Sequence, residues 1–124
     1  MAALCTVKLS LVVEDATGVL LDRDLLPVKF APGAGLAGQL QSVTLTGSTF
    51  TALTVPTGAK AVLMELPTTA VSLVIKGVTG DTGVTLTPAT NFPGIPLLLP
   101  LGASPSIGLL NNSSTAVTVN MVFV

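Results

Sequence analysis

The side chains that most often carry enzyme chemistry are missing or scarce in this chain. It has no histidine, no tryptophan and no tyrosine, and Cys5 is its single cysteine. A Ser-His-Asp triad, a thiolate–imidazole pair and an ordinary zinc site all need histidine, so none of them can form. A lone cysteine also excludes an intrachain disulfide, which is typical of a reduced cytosolic fold. We therefore expect no bound metal and no cofactor, and acidic residues are left as the candidates for catalysis.

Charge is scarce as well. Charged residues make up 9% of the chain, against about 25% in an ordinary soluble domain. Five basic residues are too few for the basic patch that nucleic-acid binding needs. No charged side chain follows Asp81, so the C-terminal third is the best candidate for burial in a core or an interface. A surface with so little charge indicates that part of it is covered by other molecules in an assembly.

Long apolar runs are absent, although the mean hydropathy is high at +0.84. A membrane-spanning helix needs about 18–20 consecutive apolar residues. The most apolar run, residues 95–101, is interrupted by Pro96 and Pro100. Near the N-terminus there is no basic segment, and Lys8 lies where the apolar part of a signal peptide would be. We therefore expect neither a membrane partner nor a targeting signal.

The chain is rich in Val, Thr, Leu and Gly, and nine prolines are spread along it. β-Branched residues favour strands and disfavour helices. Apolar and polar residues alternate in residues 6–12, 41–46 and 116–122, which predicts half-buried strands. Glycine- and proline-rich turns separate these runs from other short apolar runs. The pattern predicts an all-β fold, a single antiparallel β-sandwich or jelly roll.

A length of 124 residues fits one β domain, residues 1–124. The charges are concentrated in its first thirty residues, at Lys8, Glu14, Asp15, Asp22, Arg23, Asp24 and Lys29. This segment can either add strands to the domain or extend from it. We expect residues 1–34 to form a partly extended N-terminal arm, with the glycine-rich segment 33–38 as the boundary.

Asp81 lies in an Asp-Thr-Gly tripeptide, the sequence that carries the catalytic carboxylate in aspartic proteases. In retroviral-type proteases an apolar strand leads directly into this Asp, and Ala or Ser follows the Gly. Here Gly80 precedes Asp81 and Val84 follows Gly83. No second carboxylate is indicated that would share a proton with Asp81, as the protease mechanism requires. A protease is therefore a weak alternative, and we expect no catalytic residue.

The same stretch, KGVTGDTG, is better explained as a hairpin turn. Apolar runs precede and follow it, and its glycines tolerate positive φ. A turn aspartate bonds to its own nearby backbone. We predict that Gly77, Gly80, Asp81 and Gly83 form the turn. A calcium site is a weaker alternative because one carboxylate supplies too few ligands, and the glycine spacing is not that of a phosphate-binding loop.

Residues 49–77, TFTALTVPTGAKAVLMELPTTAVSLVIKG, resemble small β-sandwich virion proteins of tailed bacteriophages. Those proteins often have a strand containing LTVP, a Pro-x-Gly-Ala turn and a strand that rises from it. A polar turn like GDTG, an apolar Gly/Pro-rich loop and a final strand of alternating Val and Thr then follow. The corresponding parts here are residues 80–83, 92–101 and 117–124, and the resemblance covers about two thirds of the chain.

The resemblance implies a non-enzymatic structural protein, most often a capsid decoration or cement protein. Its expected partners are further copies of itself, with a trimer favoured by the three-fold sites of shells, and the major capsid protein. It would be made in the host cytoplasm and located in the virion. A neck, collar or tail component is the alternative within this class. A small-ligand or glycan-binding β module is the alternative from another class, weakened by the lack of Trp and Tyr.

The apolar loop is a candidate contact surface for these partners. Its leucines, Leu97, Leu98, Leu99 and Leu101, are clustered between two prolines that stiffen the segment. The competing interpretation is that they fill the core.

Overall fold

The computed structural model describes residues 3–33, 36, 39–67, 72–86 and 96–124. Within these ranges the chain forms ten strands and no helix. The strands are β1 Cys5–Asp15, β2 Gly18–Phe30, β3 Gln39–Leu45, β4 Thr49–Ala52, β5 Ala61–Glu65, β6 Leu73–Lys76, β7 Val84–Leu86, β8 Pro96–Pro100, β9 Gly108–Asn111 and β10 Val117–Phe123. Every pairing between them is antiparallel, which confirms the predicted all-β class.

The chain divides into two compact units, Met1–Pro32 and Gly33–Val124. The first unit consists of β1 and β2, which pair along their length as one long hairpin, called here the N-terminal hairpin. The division falls at the start of the glycine-rich segment. Most of the segment expected to form an arm is therefore a paired hairpin.

The turn of this hairpin is held by Asp15. Its Oδ1 accepts hydrogen bonds from the backbone N of Thr17 at 2.7 Å and from the Oγ1 of Thr17 at 2.5 Å. These bonds favour the charged carboxylate and lower the pKa of Asp15 below its ordinary value, the hydroxyl of Thr17 being the larger cause. Gly18 leaves the turn with φ +139°, a conformation that side chains rarely adopt.

The second unit is a jelly roll of two four-stranded sheets. The first sheet has the strand order β3-β10-β5-β8 and the second sheet has the order β4-β9-β6-β7. The pairs β3/β10, β4/β9, β5/β8 and β6/β7 are nested one inside the other along the chain, as if one long hairpin had been rolled into two sheets. This nesting defines a jelly roll, the narrower of the two predicted architectures.

One core lies between the two sheets. Its fully buried apolar side chains come from the first sheet (Leu45, Val62, Met64, Val119, Met121, Phe123) and from the second (Leu73, Leu109). Strand alternation accounts for the pattern: in β10, Val119, Met121 and Phe123 face inward, while Asn120 and Val122 face outward. Each such burial contributes roughly 1.5–3 kcal/mol, and together they stabilise the sandwich.

A buried amide ties three segments of the jelly roll together. The Nδ2 of Asn111 donates to the carbonyl of Leu45 at 3.2 Å and to that of Thr115 at 2.8 Å. Its Oδ1 accepts from the backbone N of Ser113 at 3.0 Å and from the Oγ of Ser113 at 2.8 Å. The side-chain amide of Asn111 thus uses all of its donors and acceptors, which compensates for its burial. These bonds also fix the connection between β9 and β10.

One predicted element is wrong. The apolar loop expected over residues 92–101 is β8 from Pro96 to Pro100, while residues 92–95 lie outside the described residues. Proline cannot donate to a ladder and is therefore confined to edge strands and strand ends. β8 lies at the edge of the first sheet, with Pro96 and Pro100 at its two ends, so both prolines are tolerated.

Candidate interaction surfaces

Asp81 lies in the connection between β6 and β7, which pair through Leu73–Leu86, Val74–Thr85 and Ile75–Val84. Its Oδ2 accepts hydrogen bonds from the backbone N of Gly77 at 3.1 Å and of Val78 at 3.0 Å. Its own backbone N donates to the carbonyl of Val78 at 3.1 Å. The carboxylate is therefore occupied in closing the turn that contains it.

Two further hydrogen bonds hold the rest of this turn, and one of its glycines has no room for a side chain. The Oγ of Ser106 donates to the carbonyl of Gly77 at 2.9 Å, and the Nζ of Lys76 donates to the carbonyl of Thr79 at 2.7 Å. Gly83 has φ +72°, and a Cβ on it would lie 2.4 Å from the carbonyl oxygen of Ile75. Gly80 has open space around it. Among the described residues, no three His, Cys, Asp or Glu side chains are grouped so as to hold a metal ion.

The four leucines of the predicted contact surface divide between inside and outside. Leu97 and Leu99 in β8, together with Leu101 just after it, are half-buried and pack against the core. Leu98 faces outward and is 40% exposed. The alternation of a strand explains this division, because successive side chains point to opposite faces of the sheet.

Leu98 ends an apolar row that crosses the outer face of the first sheet. The strand register places Leu40 opposite Val122, Val122 opposite Leu63, and Leu63 opposite Leu98. Leu40 is 66% exposed, and Val122 and Leu63 are half-buried. We call these four residues the outer row. Side chains directly opposite each other on one face lie close enough to form a continuous apolar strip.

The polar row next to it carries one charge. The register places Ser42 opposite Asn120, Asn120 opposite Glu65, and Glu65 opposite Pro96. Each of these residues is two positions along its strand from a member of the outer row. The Oγ of Ser42 donates to the Oδ1 of Asn120 at 2.6 Å. Glu65 is exposed, and it is the single charged residue in the four strands of the first sheet.

The N-terminal hairpin has one apolar face. Directly opposed residues share a face, so the register assembles Cys5 with Phe30, Val7 with Val28, Leu9 with Leu25, Leu11 with Arg23, and Val13 with Leu21. We call these ten residues the hairpin's apolar face. Six of its apolar side chains are 41–61% exposed: Leu9, Leu11, Val13, Leu21, Leu25 and Val28. Arg23 is the one charged member.

The opposite face of the hairpin is mostly polar. Thr6 lies opposite Lys29, Ser10 opposite Asp24, and Val12 opposite Asp22. The register shifts after Val7 and after Val13, so that extra residues are accommodated on β2. A two-stranded hairpin with a water-exposed apolar face is at best marginally stable alone. Its apolar face is therefore an exposed hydrophobic surface that a partner would stabilise.

An open cleft is a third feature of the surface. Two segments of the second unit, residues 55–60 and 101–105, enclose about 530 Å³. Lys60 supplies its one charged side chain, and Ser104, with φ +51°, lies on the other wall. No aromatic residue lines the cleft.

The outer row and the apolar face of the hairpin were not among the predicted surfaces. Leu40, Leu63 and Val122 lie far apart in the sequence and come together through the pairing of β3, β5 and β10. The signal for the hairpin was present, because Val7, Leu9 and Leu11 alternate with polar residues ahead of a short Asp-Ala-Thr-Gly turn. That alternation, together with residues 21–25, is typical of an amphipathic hairpin.

Comparisons with models of protein families, with curated proteins and with solved structures find no match to this chain. In the part of the chain that the structure describes, no helix has the length and apolarity needed to cross a bilayer. The function is therefore inferred from the fold and from three surface features: the outer row, the hairpin's apolar face and the cleft.

Proposed function

We propose that this protein is a non-enzymatic structural component of a tailed-phage virion, acting as a homo-oligomeric capsid decoration or cement protein. The observation that carries the proposal is a chain with little charge that exposes two apolar surfaces, the outer row of its jelly roll and the apolar face of its N-terminal hairpin. Such a molecule gains stability by covering those faces against neighbours rather than by solvating them. Its partners are other copies of itself and the major capsid protein.

Three further observations support the proposal. The resemblance in residues 49–77 is to small virion proteins, and the jelly roll is an architecture that viral capsid domains use, which is an analogy at the level of fold. The carboxylate of Asp81, the best candidate for catalysis, bonds to the backbone of its own turn. Repeated seating on a symmetric shell lets modest contacts add to strong attachment.

Shell binding tests this proposal. Purified protein is titrated onto capsids of the encoding phage assembled without it, and bound copies per particle are counted by quantitative gel or cryo-electron microscopy. We expect saturation at a ratio set by the symmetry of the shell, and shells that already carry the protein serve as the control. A few copies per particle would instead support a neck, collar or tail location. Absence of binding to any virion part would contradict the proposal.

The cleft favours one second candidate, a module that binds a small ligand or glycan. A volume of about 530 Å³ lies within the range of small-molecule sites, roughly 300–1,000 Å³. Its lack of aromatic side chains counts against sugars, which bind on aromatic faces. A panel of glycans is screened by thermal melting, with Lys60→Ala as the matched variant. A ligand that raises the Tm of the wild type but not of Lys60→Ala would support this candidate, and a flat panel would contradict it.

A further inference from the structure

We infer that the apolar face of the N-terminal hairpin binds the outer face of the first sheet on a second copy of this chain. Arg23 of one copy then pairs with Glu65 of the other. The inference rests on the self-association contained in the proposed function, and it adds the two surfaces and the ion pair that specify the contact. It does not depend on attachment to a shell.

The two surfaces have complementary charge. Arg23 is the one charged residue of the hairpin's apolar face, opposite Leu11 in the register. Glu65 is the one charged residue of the first sheet's strands. A cation within one apolar surface and an anion beside another are each costly to cover unless they meet, because burial removes the water that solvates them. The contact we propose covers both and pairs them.

The spacing also agrees. On β2, Arg23 is two residues from Leu25 and two from Leu21, and all three lie on the apolar face. On β5, Glu65 is two residues from Leu63, a member of the outer row. Both separations are about 6.6 Å, because a strand advances about 3.3 Å per residue. When β2 runs along β5 with Leu25 over Leu63, Arg23 therefore lies over Glu65.

The dimensions allow the middle of the row to be covered. In this seating the hairpin runs along the strands of the sheet, and its two strands, about 4.8 Å apart, cover two neighbouring strands of the four that the row crosses. β1 has 11 residues, so the hairpin is about 36 Å long, which is longer than the five residues of β5. Since the hairpin and the row are different surfaces of one chain, the contact is heterologous, and it produces closed rings when its rotation closes.

Charge reversal tests the inference on intact protein in solution. The variants are Arg23→Glu, Glu65→Arg and the double variant R23E/E65R. Lys29→Glu, a reversal on the polar face of the same strand, is the matched control. Masses are measured by sedimentation over a concentration series, and circular dichroism with thermal melting checks that each variant is folded.

We expect the wild type and the control to associate equally. Each single reversal should raise the dissociation constant about tenfold or more, as close interface charge pairs do. The double variant should return to within about threefold of the wild type, since the pair is restored with its signs exchanged. An equimolar mixture of the two single variants should associate more tightly than either variant alone, because the hairpin of each variant is compatible with the sheet of the other.

A second measurement is independent of charge effects on stability. Arg23→Cys and Glu65→Cys are made in a Cys5→Ser background, mixed, and treated with a short bis-maleimide. A covalent dimer that needs both chains supports the contact. A wild type that stays monomeric, single reversals that the double variant does not rescue, or a mixture that does not cross-link would each overturn it. Shell binding that persists in such a case would leave the virion role standing without this contact.

Discussion

At the scale of single residues, the side chains that suggest chemistry are used to hold the backbone. Asp81 accepts two backbone hydrogen bonds within its turn, and Asp15 accepts two hydrogen bonds from Thr17 in the hairpin turn. Asn111 is buried with both ends of its amide bonded. The turn role of Asp81 follows from the glycines around it, which predict a reversal of the chain rather than a strand that leads into a catalytic loop.

Removing the carboxylate of Asp81 tests its turn role. Asp81→Ala leaves the backbone N–H groups of Gly77 and Val78 without their acceptor, and we expect a loss of about 0.5–2 kcal/mol in the free energy of unfolding. Asp81→Asn keeps one acceptor oxygen and should cost less. Chemical denaturation measures both, with Thr82→Ala in the same turn as the control. An Asp81→Ala variant as stable as the wild type, or a peptidase activity lost in Asp81→Asn, would contradict the turn role.

The titration of Asp15 gives a prediction for pH dependence. Its bonds from Thr17 lower its pKa in the folded protein, so its contribution to stability is present above the unfolded pKa and is lost as the pH falls through the folded pKa. In Thr17→Val the larger bond is gone, and the pKa of Asp15 should rise toward its ordinary value. NMR titration of the side-chain carboxyl measures this shift. An unchanged pKa in the variant would mean that the hydroxyl of Thr17 does not bind the carboxylate.

At the scale of elements, alternation in the sequence predicted much of the fold. Residues 6–12, 41–46 and 116–122 lie in or overlap β1, β3 and β10, because β-branched residues alternating with polar ones suit a sheet with one buried face. β8 was not predicted, because its terminal prolines are typical of loops. Its place at the edge of a sheet depends on long-range pairing with β5, which local sequence does not encode.

Gly108 tests how closely two elements of the second sheet pack. A Cβ at this position in β9 would lie 2.3 Å from the Cζ of Phe50 and 2.6 Å from the backbone oxygen of Thr51. The ring can turn aside but the backbone of β4 cannot, so Gly108→Ala should cost about 1–3 kcal/mol of stability. Gly102→Ala, where the space is open, is the matched control. Denaturation curves that coincide for the two variants would contradict this packing.

At the scale of the whole molecule, charge is distributed unequally between the two units. Residues 33–124 contain four charged side chains, Lys60, Glu65, Lys76 and Asp81, and the N-terminal hairpin contains the other seven. Five of those seven lie on its polar face: Lys8, Glu14, Asp22, Asp24 and Lys29. Arg23 lies on its apolar face, and Asp15 is in its turn. Apart from Arg23, the charges of the hairpin thus lie away from its apolar face, as charged residues are depleted in the cores of protein interfaces. The low charge content predicted that part of the surface is covered. The outer row could not be predicted, because it forms only when distant strands pair.

The solution mass of the intact wild-type protein tests the central claim, that these apolar surfaces are contacts between copies. It is measured by light scattering on a sizing column over a wide range of concentrations. We predict an integer multiple of the 12.4 kDa chain mass, with a trimer favoured, that dissociates only on dilution. A monomer of 12.4 kDa at every concentration would contradict the claim, because the apolar face of the hairpin and the outer row would then be exposed to water.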